Sequence, residues 1–262
     1  MINRTAFYKS IRPLFGGGLD QSQVDGLTRL LDVWESGYAN DGSAEELAYN
    51  LATSFHETAH TMQPITERGG RRYFDKYEPG TRIGRILGNT KAGDGYRFRG
   101  EGDVQNTGRG NAIKATKRLN EVFGLGVDLV SDPGKRGDPF ISAHSLFLGN
   151  REGWWTGRDL ADYIDGVDES DADDLAEYVK ARAVVNGRDK AMKIARYAVQ
   201  FEHALKAAGY SASAPVTPTA PTKPTAPIRP TAPIRPAATP KPKRGMWDAI
   251  VGLLIKIIRG GK

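Results

Sequence analysis

The chain of 262 residues contains no cysteine. Disulfides, thiolate nucleophiles and cysteine-held metals are therefore excluded from its chemistry. Histidine is scarce, with four residues in all, which limits any imidazole metal site. The opening residues Met1-Ile2-Asn3-Arg4 lead into a segment carrying Lys9 and Arg12. They lack the apolar stretch and small-residue cleavage site of a secretory signal, so synthesis and first residence in the cytoplasm are expected. No apolar run approaches the roughly 20 residues needed to span a bilayer.

Basic charge is present in excess, and it is unevenly placed. Residues 211–262 hold nine of the 37 Lys and Arg residues and one of the 31 acids. That leaves 28 basic and 30 acidic residues before them, a body close to neutral with a strongly basic tail. A near-neutral body argues against nucleic acid as a partner, and a basic tail seeks an anionic surface.

Residues 1–210 read as one mostly helical domain, long enough to bury a core. Asn3 or Thr5 can cap a short helix ending near Pro13. Val24, Leu27, Leu30, Leu31 and Trp34 recur at helical spacing within residues 21–35. Ser43 followed by Glu46 is a capping-box signal for a helix predicted to run through about His60. Residues 65–107, rich in Gly, Arg and Tyr, read as loops with a short hairpin. Helical patterns resume near 109–122, 138–148, 158–164, 172–185 and 188–207.

Residues 211–243 form a linker with prolines at every third position from Pro215 to Pro236. Three residues per turn is the polyproline II period, so these rings stack along one edge of a semi-rigid spacer. Residues 244–262 then place Trp247, Ile250, Val251, Leu254, Ile257 and Ile258 on one helical face, with Lys256 and Arg259 opposite. This pattern suits a helix lying in a membrane interface. The alternative is a helix that docks on the body or self-associates, which the long spacer disfavours.

The chemistry concentrates between His56 and Asn111. Glu57 ends an apolar helical pattern two residues after Phe55, where burial would favour the neutral acid. Glu67 follows beyond Pro64. A segment rich in Gly and Arg then supplies Gln105, Thr107 and Asn111. Two separated carboxyls, with amides and a hydroxyl to hold sugar and water, are the parts that glycosidic hydrolysis needs. His56-Glu57-Thr58-Ala59-His60 also matches H-E-x-x-H, in which two histidines one helical turn apart share a zinc ion. A zinc peptidase needs a third ligand, and only His144 and His203 remain as histidines.

Three segments carry a family resemblance. They are His56-Glu57-Thr58, then Gly95-Tyr96-Arg97-Phe98-Arg99-Gly100-x-Gly102-x-Val104-Gln105-x-Thr107-Gly108-Arg109-x-Asn111, then Val185-Asn186-Gly187. In this order they resemble the family 19 glycoside hydrolases, the chitinase-like group that includes many phage endolysins. Residues 56–65 and 151–157 resemble the endolysin branch. The resemblance implies a two-lobed, lysozyme-like fold over about residues 1–208 and an inverting reaction without metal or other cofactor. It makes Glu57 the general acid, Glu67 the general base and Thr107 a holder of the attacking water. Gln105, Asn111 and Asn186 become sugar contacts, joined by Tyr96 and Arg109 from the matched segment. Lys193 stands where the family often has an arginine near the base. Glu101, Asn106 and Ala112 depart from the family's usual Arg, apolar and aromatic residues.

The chain is thus expected to be an endolysin that hydrolyses the β-1,4 glycan of bacterial peptidoglycan. It would act in the periplasm or on the wall after release. Trp247, Ile250, Leu254, Lys256, Ile258 and Arg259 are expected to bind anionic membrane or lipopolysaccharide. A chitinase, and a membrane-active antibacterial peptide carried on a sugar-binding domain, are the alternatives.

Overall fold

The computed structural model describes residues 1–210. The proline-rich spacer, the basic segment and its membrane-binding residues lie outside the described residues. Those described are mostly helical, as the periodicity predicts.

The centre of the fold is α3 (Ala44–Glu57). Ser43 Oγ caps it by accepting from the Glu46 N–H at 3.0 Å. The other half of the expected capping box is absent, because the Glu46 carboxylate turns to Arg151 instead. Twelve of the fourteen α3 residues are buried, which requires apolar or small residues on nearly every side. Leu47, Ala48, Leu51, Ala52 and Phe55 supply them. The helix packs mainly on α9 (Ala191–Ala207), whose Ala195, Ala198 and Ala204 permit close approach. Against α9 also lie α8 (Asp171–Asn186) and α1 (Arg4–Ile11), which Asn3 caps. A second group of helices packs α7 (Pro139–Arg151) on α2 (Gln21–Gly37) and on α6 (Arg109–Phe123). The stretch 158–164, read as helical, contains only a short 3-10 turn at Leu160–Asp162.

α3 stops at Glu57 rather than near His60. Ala59, His60 and Met62 all take positive φ, at 55°, 70° and 57°. Side chains with a Cβ resist this region, at a cost of order 1–3 kcal/mol each. Tertiary contacts hold the turn. The His60 ring stacks on Phe55 at 4.0 Å, and its carbonyl accepts from Gln23 Nε2. The Met62 carbonyl accepts from Arg29 and lies against Gly26, where a Cβ would stand 2.1 Å from that oxygen. That approach explains a glycine inside α2, where it costs about 1 kcal/mol relative to alanine.

The hairpin expected within 65–107 is present but is not tight. β1 (Ile65–Thr66) pairs antiparallel with β2 (Glu101–Gly102), Ile65 opposite Gly102. Between them the chain makes a long excursion with helical pieces, a correction to the loop reading. These are a 3-10 segment at Arg71–Tyr77, α4 (Arg82–Ile86) and α5 (Asp94–Arg97). The excursion has its own small core of Phe74, Tyr77, Ile83 and Leu87. Asn89 fastens it to α6 by donating to the Tyr77 carbonyl and accepting from the Arg109 N–H.

Candidate active site

Glu57 is the last residue of α3, and Thr58 seals the helix behind it. The Thr58 hydroxyl donates to the Ser54 carbonyl at 2.7 Å and accepts from the Met62 N–H at 3.1 Å. Glu57 is 6% exposed, as the apolar pattern around it suggests. Its partner comes from α8: Arg182 Nη2 donates to Glu57 Oε1 at 2.9 Å, and Arg182 is 1% exposed. Asn186 lies one helical turn beyond Arg182, buried, and its Oδ1 has no hydrogen-bond partner among the described residues. Tyr49, two turns before Glu57, is pushed up to about 12 by burial, with Arg182 acting against the shift.

Glu67 follows β1 and is 2% exposed. The Gly100 N–H donates to its Oε2 at 3.0 Å and the Tyr77 hydroxyl to its Oε1 at 3.1 Å. Burial raises its pKa above the ordinary carboxylate value, against these hydrogen bonds and the charge of Lys76. Gly100 joins Glu67 to two more of the expected residues. A Cβ on Gly100 would stand 2.6 Å from Gln105 Oε1 and 3.2 Å from Thr107 Oγ1. Gln105 is held at a positive φ of 55°, its Nε2 donating to the Ile65 carbonyl at 2.9 Å. Its Oε1 has no partner among the described residues. The Thr107 hydroxyl donates to the Gln105 carbonyl at 2.7 Å. Its proton is thus engaged inward, while its lone pairs can accept from a water. Asn111 Nδ2 donates to the Thr107 carbonyl at 2.9 Å and supports this turn from α6.

A buried carboxylate fastens these two regions together. Asp103, directly after β2, accepts from Ser54 Oγ in the last turn of α3 at 2.9 Å, and pairs with Arg29. The helix that ends in Glu57 is therefore tied to the strand pair that leads into Glu67.

Tyr96 and Arg109 are placed elsewhere. Both line a cavity of about 500 Å³ that also takes in Arg71, Lys91, Arg97 and Arg99. The Arg109 guanidinium is occupied by a two-pronged pair with Asp94, at 2.7 and 2.6 Å. The Tyr96 ring carries the guanidinium groups of Arg71 at 4.9 Å and Arg99 at 4.5 Å. Neither residue touches the Glu67 carboxylate through a hydrogen bond. Lys193 is exposed on α9, near the Tyr197 ring at 5.7 Å, and its charge acts on His56 and His60. It therefore stands within reach of His56, which precedes Glu57, and of His60.

The histidine pair is not built on one helix. His56 lies in α3, and burial pushes its pKa down to about 4. His60 lies past the helix end, in the strained turn. Among the described residues no group of three or more His, Cys, Asp or Glu side chains is placed to hold a metal ion. Glu101 accepts from the Thr66 hydroxyl at 2.6 Å and faces Arg99 at 3.6 Å, which accounts for an acid at that position. Ala112 is fully buried in α6. Nothing in the structure explains the buried Asn106 side chain.

Sequence reasoning missed Arg182, Asp103, Tyr77 and the Gly100 N–H. Gly100 lies in the segment that carries the resemblance, but no role was read for its N–H. No family model matches this chain, and no curated protein sequence matches it.

Proposed function

We propose that this chain is an endolysin that hydrolyses the β-1,4 glycan of bacterial peptidoglycan with inversion. Residues 1–210 would form a two-lobed, lysozyme-like domain of the family 19 kind. The observation that carries the proposal is the grouping of the buried Glu67 carboxylate with two inward-held acceptors, Gln105 Oε1 and Thr107 Oγ1, around Gly100. A second buried carboxylate, Glu57, ends the helix tied to that hairpin.

In the proposed reaction Glu67 takes a proton from a water that Thr107 orients. The water oxygen bonds to the anomeric carbon, the glycosidic C–O bond breaks, and Glu57 gives its proton to the leaving oxygen. Inversion requires the two carboxyls roughly 6.5–9.5 Å apart so that the water fits between them. Asn111 and Asn186 are assigned to the sugar. The reaction is complete with water and two carboxyls, without a cofactor. The protein would be made in the host cytoplasm and reach the wall after release. Residues 244–262 would bring it to anionic lipid or lipid A phosphates, each surface-adjacent Lys or Arg adding about 1 kcal/mol.

Digestion of purified peptidoglycan, with mass spectrometry of the new reducing ends, tests the proposal. New N-acetylmuramic acid ends are expected. Glu57→Gln and Glu67→Gln should each fold and lose at least about 10²-fold in rate. Near-normal cleavage by a folded Glu57→Gln protein would sink the assignment. Deleting residues 244–262 should spare this digestion and reduce killing of intact cells from outside; equal killing would remove the membrane role.

A further inference from the structure

The cavity beside the hairpin has more positive charge than its own structure uses. Five cations line it, Arg71, Lys91, Arg97, Arg99 and Arg109, against two acids. Both acids are buried and already engaged. Asp94 accepts both prongs of Arg109 and the N–H groups of Thr90 and Lys91. Glu101 holds Thr66 and Arg99. Three exposed cations remain, Arg71, Lys91 and Arg97, and none forms an ion pair among the described residues. Two of the arginines are oriented. Arg97 Nη2 donates to the carbonyls of Val130 and Ser131, both at 3.0 Å, and Arg71 rests on the Tyr96 ring. Guanidinium groups held in this way are suited to carboxylates, whose two oxygens match their fork.

The cavity also adjoins the site. Arg99 and Glu101 line it and flank Gly100, whose N–H holds Glu67. The cavity wall and the residue that holds Glu67 are therefore direct neighbours along the chain. Chitin would bring no negative charge there. Peptidoglycan carries, on each muramic acid, a short peptide with free carboxylates.

We infer that this cavity receives the carboxylates of the peptide stem, so that the enzyme selects peptide-bearing glycan over bare glycan. The inference rests on the peptidoglycan reading given above. It makes Tyr96 a support for cations rather than a platform for sugar, and Arg109 part of the wall.

The test is calorimetric titration of the full chain with a synthetic stem peptide containing glutamate and diaminopimelate, separate from any hydrolysis. The wild-type protein should bind it, more weakly as salt rises. Arg71→Ala/Lys91→Ala should weaken binding by about tenfold, the scale for two partly exposed charge contacts. Arg71→Lys/Lys91→Arg, which keeps both charges, should restore most of it. The same peptide with its carboxylates amidated should bind no better than it does to the alanine variant. In parallel, the alanine variant should lower the ratio of kcat/KM on peptidoglycan to kcat/KM on amidase-stripped glycan. Failure of the wild-type protein to bind the acidic peptide, or equal binding by the alanine variant, overturns the inference even if peptidoglycan is cut. Binding without cleavage of either glycan leaves the cavity assignment standing and removes the endolysin reading instead.

Discussion

Arg182 and Glu57 form an ion pair between α8 and α3 in which both side chains are buried, with Nη2 and Oε1 2.9 Å apart. The pair sets the position of the proposed acid and couples it to the helix that carries Asn186.

Removing Arg182 should leave the Glu57 carboxyl buried without its partner. Arg182→Ala is expected to destabilise the protein by about 3–5 kcal/mol. Glu57→Gln combined with Arg182→Ala should recover a large part of that loss. Urea unfolding of both single variants and the double variant gives the coupling. Strictly additive losses would mean that the two side chains do not act as a pair.

The hydroxyl of Tyr77 should be visible in the pH dependence of catalysis. Glu67 must be ionised to act as base, and burial already raises its pKa above the ordinary value. The Tyr77 hydrogen bond opposes that rise. Tyr77→Phe should therefore raise it further, and the acidic limb of the rate profile should move to higher pH. An acidic limb that stays in place, or moves to lower pH, would remove Glu67 as the base.

A second pH effect should appear in stability. Asp174 is pushed up to about 7 by burial and by Glu202, against Lys206. Its ordinary value is 3.8, so between about pH 4 and pH 7 the folded state holds a proton that the unfolded chain has released. The stability from this group is full below that window and is lost as pH rises through it, by up to about 1.4 kcal/mol per pH unit for one proton. His56, pushed down to about 4, works in the opposite direction as pH falls. The difference between wild-type and Asp174→Asn unfolding across this range isolates the Asp174 slope. Parallel curves would contradict the raised value.

Gly26→Ala should destabilise the protein although alanine is the better helix former by about 1 kcal/mol. The added methyl would stand 2.1 Å from the Met62 carbonyl oxygen. Overpacking of this kind costs about 1–3 kcal/mol. A rise in Tm would show that the turn after Glu57 can move aside freely.

Much of the helical frame was legible because it rests on local rules. Asn3 and Ser43 announce helix starts, and the apolar spacing from Val24 to Trp34 marks α2. The end of α3 was not legible. The apolar pattern continues to Ala59, while contacts from Gln23, Gly26 and Arg29, all distant in sequence, help to hold the turn that follows Glu57. The excursion between β1 and β2 was missed because helical pieces as short as α4 and α5 show no period. Glu67, Gln105 and Thr107 could be named as candidates from residue type and resemblance. Their meeting around Gly100 depends on the pairing of Thr66 with Glu101, which no local pattern encodes. Arg182 was readable in principle, since a charge between the buried Tyr178 and Asn186 requires a buried partner.

The packing of α3 on α9 also bears on synthesis. Residues 44–57 leave the ribosome on the order of ten seconds before residues 191–207, at common elongation rates. During that interval Leu47, Leu51 and Phe55 lack the surface that later covers them. The closing hydrogen bond, from the Asn3 N–H to the Ala208 carbonyl at 3.0 Å, forms later still. The nascent chain thus carries Glu57 on an uncovered helix, and that residue gains its Arg182 partner and the cover of α9 only when nearly all of the described domain has been made.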